Sequence, residues 1–526
     1  MKRNGPFKGR TIAVVNDLSI DEQRYLYQKT RELKSLVATG GDYRHFKLND
    51  PDYQVYLIFM EDSTRTRESF RNAAKFLGAR TNIFDAASSS FNKNESITDA
   101  IKMLYGYSSD SCFIMRTKLE GTCRWLEEAL RRYAETSGGP LPAFINAGDG
   151  KHEHPTQEFL DEFTFLEKLN WNDDHIHIAL AGDLYHGRTV HSKADGLKVF
   201  RNVEVDLIAP ELLSMPSTYV DKMKANGFQV KIFESIDEYL ANGNAASIWY
   251  FTRLQLERMG EAILERTPFL RNSVTFRKDM LGLLPENTKF YHPLPRNRAA
   301  PTIPTFLDDL PLNGWDGQSA NGYWTRIVEL GMVSGLLGED FNGAFAMEPT
   351  ISEDFVTEIK PTEHQKPEYK VGIKPVEDGI VIDHIARGRP VEEIWNNIEA
   401  ARKILKLNVR SSHGVYHSNL GPETFKGIIS LPDITSFGAK DLKKLAAIAP
   451  GCTMNLIRNS QVAKKFRLQM PPRIYGFEEI SCKNENCISN PKHSEGVTTE
   501  FRRKSGSTFV CRYCEREHNF REIWDI

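Results

Sequence analysis

Val55-Tyr56-Leu57-Ile58-Phe59-Met60 runs straight into Glu61-Asp62-Ser63-Thr64-Arg65-Thr66-Arg67-Glu68-Ser69-Phe70. The first six residues form a continuous apolar run of strand length, which reads as a buried strand. Phe70, Ala73, Ala74 and Leu77 then recur at i, i+3, i+4 and i+7, one apolar face of a helix. Hydroxyls and guanidiniums therefore fall where a strand ends and a helix begins. A helix start offers unpaired backbone N–H groups and a positive dipole end, which suits an anion. Ser63 and Thr64 add donors, and Arg65 adds a planar fork that fits phosphate oxygens. The reading is a phosphate site. The competing reading is ordinary Ser/Thr capping beside exposed arginines.

Working outward, strand-like and helix-like segments alternate over residues 1–155. Further strands are expected at Thr81–Asp85, Cys112–Met115 and Ala143–Asn146, with helices through Ile97–Leu104 and Trp125–Leu130. Residues 156–321 repeat the alternation, with strands at His175–Asp183, Val203–Ala209, Gln229–Phe233, Ala246–Phe251 and Lys289–Tyr291. This pattern predicts two doubly wound α/β domains built on parallel sheets. Such sheets bind ligands beyond the C-terminal ends of their strands, where Arg65, Arg116 and the loop around Asn146 fall. The apolar segment Tyr323–Leu337 is expected to form a helix that returns to the first domain, so that 322–340 completes it. Residues 341–368 carry Pro349, Pro361 and Pro367 among charges and read as an extended linker. A small α+β sandwich over 369–470 follows, with strands at Gly379–Ile385 and Lys426–Leu431 and helices over Pro390–Leu407 and Lys440–Ile448.

The chain has 526 residues, of which 40% are hydrophobic and 26% charged, with a formal net charge of -2. That length calls for several domains, and the balance gives no global reason to expect a nucleic-acid or acidic-membrane partner. No apolar run reaches membrane-spanning length, and the polar start lacks a signal-peptide core, so a cytoplasmic protein is expected. Seven cysteines are present. Four of them, Cys482-x4-Cys487 and Cys511-x2-Cys514, close the chain over 471–526 in two loops suited to tetrahedral zinc. Four thiolates would make the site closed and structural, with one zinc per chain. Arg502-Arg503-Lys504 beside it leaves an RNA-binding ribbon open as an alternative.

Other candidate motifs lie at predicted strand ends. His154-Pro155-Thr156-Gln157 opens a helix, with His152 and His154 also raising a metal site. Gly187-Arg188-Thr189-Val190-His191-Ser192 follows a strand but lacks dinucleotide-loop spacing, so a redox cofactor site is rejected. Thr252-Arg253-Leu254-Gln255 and His292-Pro293-Leu294-Pro295-Arg296 end further strands. No nucleophile–base pair and no carboxylate dyad occurs among these motifs. The set points to a reaction run by orientation and charge stabilisation.

Taken together and in order, Ser-Thr-Arg-Thr-Arg at 63–67, His-Pro-Thr-Gln at 154–157, Gly-Arg-Thr-Val-His-Ser at 187–192, Thr-Arg-x-Gln at 252–255 and His-Pro-Leu-Pro-Arg at 292–296 resemble the aspartate carbamoyltransferases. The Cys-Leu-Pro and Ser-Met-Gly motifs of ornithine carbamoyltransferases are absent. The resemblance implies that Ser63, Thr64, Arg65 and Thr66 hold the phosphate of carbamoyl phosphate. Arg116, His154 and Thr66 would polarise its carbonyl. Gln157 and the backbone at Pro293 and Leu294 would fix its NH2, and Arg188, Arg253 and Gln255 would bind L-aspartate. Ser90 and Lys93 would reach a neighbouring subunit's site, so a homo-oligomer built on trimers is implied. The product would be N-carbamoyl-L-aspartate, for de novo pyrimidine biosynthesis.

Residues from about 369 onward resemble the regulatory chain of the same family, through Gly379–Ile385, Gly438-x-Lys440-Asp441-Leu442 and the cysteine spacing. That resemblance implies a nucleotide effector, CTP or ATP, held by Asp383, His384, Lys440, Lys444 and Lys464. It favours a docking role for the cysteine module over RNA.

Overall fold

The computed structural model describes residues 5–85, 95–108, 110–255, 266–297, 301–348, 351–361, 376–418, 421 and 423–525. The chain divides into two compact units, Met1–Met347 and Glu348–Ile526.

The first unit holds two parallel sheets. One has the order β2-β1-β3-β4, from Gln54–Phe59 (β1), Arg80–Asp85 (β2), Ser111–Thr117 (β3) and Ala143–Asp149 (β4). All its neighbours pair in parallel. Val55, Leu57 and Ile58 are fully buried, as a central strand covered on both faces requires. The Thr64–Leu77 helix buries Phe70, Ala73, Ala74 and Leu77, the face its periodicity predicts, and ends at Gly78 in the left-handed conformation. The second sheet has the order β7-β6-β5-β8-β9, from His175–Ala181 (β5), Asn202–Ile208 (β6), Gln229–Phe233 (β7), Ile248–Phe251 (β8) and Lys289–Tyr291 (β9). Its pairs are parallel too.

Two helices join the sheets, and both depart from the expected pattern. The Pro155–Lys168 helix is buried nearly all round, including Gln157, Glu158, Asp161 and Glu162. The returning helix spans Trp315–Val333 and so begins well before Tyr323. Its first turns carry Gln318 and Asn321, whose polarity hides the helix from an apolar count. Both are buried because they donate to Asp161 and to Thr164 and Glu167 of the facing helix.

The second unit opens on a strand. The extended segment expected over 341–368 contains Val356–Ile359 (β10), which pairs antiparallel with Gln461–Leu468 (β15). The sheet order is β10-β15-β14-β11-β13-β12, adding Gly379–Ile385 (β11), Ser412–His417 (β12), Phe425–Leu431 (β13) and Thr453–Arg458 (β14). Its pairs are all antiparallel. Helices Val391–Ile404 and Ala439–Ile448 accompany the sheet and bury Ile394, Ile398 and Leu445. Strands β12, β14 and β15 have no counterpart in the sequence expectation. Lys464, Lys465 and Arg467 give β15 the look of a solvated loop. The unit ends in a small antiparallel sheet of Arg473–Tyr475 (β16), Glu500–Ser505 (β17), Thr508–Cys511 (β18) and Glu517–Asn519 (β19).

Candidate active site

A cleft of about 930 Å³ opens at the C-terminal ends of the strands of the first unit. Every candidate substrate residue within the described range lines it: Ser63, Thr64, Arg65 and Thr66 after β1, Arg116 at the end of β3, His154 and Gln157, Arg188, Arg253 and Gln255 after β8, and Pro293 and Leu294 after β9. Ser90 and Lys93 lie outside the described residues. The cleft also takes in Glu61, Lys118, Arg296, Gln318 and Arg326, to which the sequence reading gave no role. A charged residue inside the apolar run 323–337 was the available signal for Arg326.

The capping alternative for residues 63–67 does not hold. Ser63 occupies the N-cap position, but its hydroxyl makes no capping bond. Ser63 and the first helical residues, Thr64, Arg65 and Thr66, line the cleft instead. His154 occupies the same place before the Pro155–Lys168 helix and likewise makes no side-chain cap. Its Nδ1 lies 3.4 Å from Thr156 Oγ1.

Backbone carbonyls hold the arginines. Arg116 Nη1 donates to Ala147 O at 2.9 Å, and Arg188 Nη1 to Gly150 O at 2.7 Å. Glu61 lies 3.9 Å from Arg188. Gly148, at φ +111°, makes room for both: a Cβ there would sit 2.9 Å from Arg116 Nη1 and 3.1 Å from Arg188 Nη2. Arg326 donates to Ser69 Oγ and lies 4.9 Å from the Phe70 ring. On the second sheet, Gln255 donates through its backbone N–H to Asp183 and through Nε2 to His186 O.

Burial depresses cations of the cleft, and at Arg116 and His154 neighbouring cations add to it. Burial, then Arg188, holds Arg116 down to about 9. Burial holds Arg326 down to about 10 and also lowers Arg65. Burial, followed by Arg116, Arg188 and Arg326, pushes His154 well below its ordinary value. His154 is therefore neutral, with one ring N–H to donate. The arrangement suits an anion of high charge density next to a polarisable carbonyl, with further cations for a second acidic ligand. His152 bonds Asp149 at 3.0 Å, and neither it nor His154 joins a metal-ligand group among the described residues.

In the second unit Cys482, Cys487, Cys511 and Cys514 converge, all buried, with their sulfurs within 4.8 Å of one another. Cys482 and Cys514 are 3.7 Å apart, and Cys487 and Cys511 are 3.8 Å apart. A tetrahedron with metal–sulfur bonds of about 2.3 Å has edges of roughly 3.8 Å, so the residues fit a four-thiolate metal centre. Burial pushes the Cys511 thiol well up, which a bound cation reverses.

The candidate effector residues are arranged less uniformly. Asp383 and His384 lie in the last three residues of β11; Asp383 pairs with Lys426, and His384 Nδ1 lies 2.9 Å from Thr453 Oγ1. Lys440 and Lys444 share the Ala439–Ile448 helix, but Lys444 is tied to Glu479 at 2.7 Å and is largely buried. Lys464 is half exposed, 3.8 Å from Glu358. The Lys426 partner of Asp383 was not expected, because a lone lysine in an apolar strand gives no motif.

The family description "Aspartate/ornithine carbamoyltransferase, carbamoyl-P binding domain" matches residues 10–167. The allosteric and metal binding domains of the aspartate carbamoyltransferase regulatory chain match 371–469 and 472–524. Protein PyrBI of Thermotoga maritima is 55% identical over 533 residues, covering 100% of each chain. Protein PyrBI of Treponema denticola is 50% identical over 98% of each. Among solved structures, aspartate transcarbamoylase from Trypanosoma cruzi in complex with carbamoyl phosphate and aspartate superposes with a TM-score of 0.52 at 28% identity, covering 62% of this chain and 96% of that one. No helix among the described residues is long and apolar enough to cross a membrane. The chain belongs to the aspartate carbamoyltransferase family, with a catalytic chain and a regulatory chain joined in one polypeptide.

Proposed function

We propose that this chain transfers the carbamoyl group of carbamoyl phosphate to L-aspartate, giving N-carbamoyl-L-aspartate and phosphate for de novo pyrimidine biosynthesis in the cytoplasm. The observation that carries this reading is one cleft in which cations from both parallel sheets surround a neutral, buried His154. Ser63, Thr64, Arg65 and Thr66 bind the phosphate. Arg116, Thr66 and a ring N–H of His154 hold the carbonyl oxygen as it gains charge. Gln157 and the Pro293 and Leu294 carbonyls take the NH2, and Arg188, Arg253 and Gln255 take the two carboxylates. The free amine of aspartate forms the new N–C bond. The C–O bond to phosphate breaks with its electron pair leaving on the phosphate, which accepts a proton from the amine. No redox step occurs. Ser90 and Lys93 of a neighbouring copy complete the site, in a homo-oligomer built on trimers.

The same reading divides the chain into a carbamoyl-phosphate domain (1–155, completed by 322–340), an aspartate domain (156–321), a joining segment (341–368), a regulatory domain (369–470) and a zinc domain (471–526). The metal is zinc, one per chain, and its role is structural. CTP or ATP binds near Asp383, His384, Lys440, Lys444 and Lys464. Carbamoyl phosphate offered with aspartate and ornithine together is expected to yield carbamoyl aspartate; citrulline as the main product overturns the assignment. Titrating CTP and ATP against aspartate saturation tests the regulatory part, which fails if neither shifts the curve.

A further inference from the structure

Three segments of the first unit meet on one carboxylate, and a fourth hangs from it through Gln318. Asp161 is fully buried and is not among the residues lining the cleft. Its Oδ1 accepts from Gln157 Nε2 at 2.9 Å and from Gln318 Nε2 at 2.7 Å. Its Oδ2 accepts from the Lys193 ammonium at 2.9 Å. Gln318 is held at its other end as well, where Oε1 accepts the His292 backbone N–H at 2.8 Å. The His292 ring continues the chain, since Nδ1 accepts the Leu294 N–H at 2.8 Å. Leu294 sits at φ +54°, a conformation a leucine keeps only when its surroundings enforce it.

These bonds settle a choice of atoms. A glutamine amide has one acceptor oxygen and one donor NH2. With Nε2 committed to Asp161, Gln157 keeps Oε1 as the atom it can offer the cleft. Through Gln318 and His292, the same carboxylate suspends the backbone that carries the Pro293 and Leu294 carbonyls. Three acceptors for an N–H group thus depend on one residue behind them. Only an acceptor without a donor of its own can take two amide NH2 groups and an ammonium at once, so an asparagine cannot replace it.

Lys193 keeps this charge tolerable. It lies 2.7 Å from Glu158 and 3.6 Å from Glu162 as well, and all four groups are buried. Burial pushes Glu158 and Glu162 upward while the Lys193 ammonium opposes that rise, so one buried cation offsets the charge of the acids gathered around it.

We infer that Asp161 is a positioning residue that turns Gln157 oxygen-first toward the cleft and fixes the 292–294 carbonyls, so that the site selects an acyl phosphate bearing NH2 over one bearing CH3. This rests on the carbamoyl phosphate reading above. The test compares carbamoyl phosphate with acetyl phosphate as donors to aspartate, using the full chain, and measures inhibition by inorganic phosphate alongside. In Asp161→Asn the preference for the carbamoyl donor is expected to fall at least about tenfold, the worth of one well-made hydrogen bond. Phosphate inhibition, set by the 63–66 loop, stays unchanged. A folded variant that keeps the preference overturns the inference, and so does an equal loss on both donors with weakened phosphate binding. If Asp161→Asn does not fold, Gln318→Met carries the test, because it cuts only the loop arm. Its preference is expected to fall less steeply, and an unchanged value overturns the inference. Should the parent chain transfer no carbamoyl group, the functional reading fails; should it do so and the variants keep their preference, only the role of Asp161 fails.

Discussion

Gly148 carries no side chain, and Arg116 and Arg188 use the room. Gly148→Ala meets both guanidiniums at φ +111° and is expected to cost about 10²-fold in turnover, the scale of a misplacement of one ångström. Steady-state kinetics with a melting curve separates this from unfolding. Arg65→Ala is expected to cut kcat/KM for carbamoyl phosphate by about 10² to 10³, with the melting temperature held, and near-normal turnover would sink the phosphate assignment. Glu329 makes a prediction of the opposite kind. It is fully buried, its carboxylate oxygens have no hydrogen-bond partner among the described residues, and burial raises it to about 8. Between its unfolded value of 4.5 and about 8 the folded state holds a proton that the unfolded state has released, so stability is lost as pH rises through that window. Glu329→Gln removes this cost. It is expected to melt higher than the parent at pH 8 by the equivalent of a few kcal/mol, and the gain should vanish toward pH 4. A gain that does not vary with pH would point to packing instead.

Elements differ in how openly the sequence declares them. The strand at 54–59 and the helix at 64–77 were legible because an apolar run and a 3.6 period stand side by side. The cleft was legible for a related reason: parallel strands deliver their C-terminal residues to one edge, so motifs far apart in sequence meet there. The early start of the Trp315–Val333 helix was not legible, since Gln318 and Asn321 bury polar atoms against polar atoms and leave no apolar stripe. Nor was β15, whose first four residues are all exposed and whose Lys464, Lys465 and Arg467 break any apolar alternation. Asp161 was passed over for want of context: one acid in a helix says nothing until its partners on two other segments are known. The cysteine module is the opposite case, announced by spacing alone. Cys511→Ser is expected to lose the metal and, with it, the β16–β19 sheet. Elemental analysis and hydrogen exchange check this, because a closed thiolate centre supplies folding energy directly. A variant that keeps one metal and its amide protection would show that three thiolates suffice.

At the scale of the whole molecule, the unit boundary makes a prediction about where the chain can be cut. Residues beyond 340 still belong to the first unit, for Phe341 and Phe345 pack their rings on Phe7 at 5.3 and 5.8 Å. Residues 1–347 expressed alone are therefore expected to keep transferase activity. A version ending at 340 bares Phe7 and Tyr25 and should melt several degrees lower, given about 0.5–1.5 kcal/mol for each aromatic pair lost. Equal melting temperatures would place the boundary earlier. The segment that joins the two halves also finishes a sheet, contributing four residues with Glu358 exposed at the rim. A protease that nicks before Val356 leaves the rim finished. One that nicks after Pro361 detaches the strand from the sheet's own chain and lays open the peptide groups of residues 465–468, the four residues of β15 that it pairs. An open rim is a template for another strand. Two clips a few residues apart would thus give preparations of different shelf life, one remaining clear and the other turning cloudy.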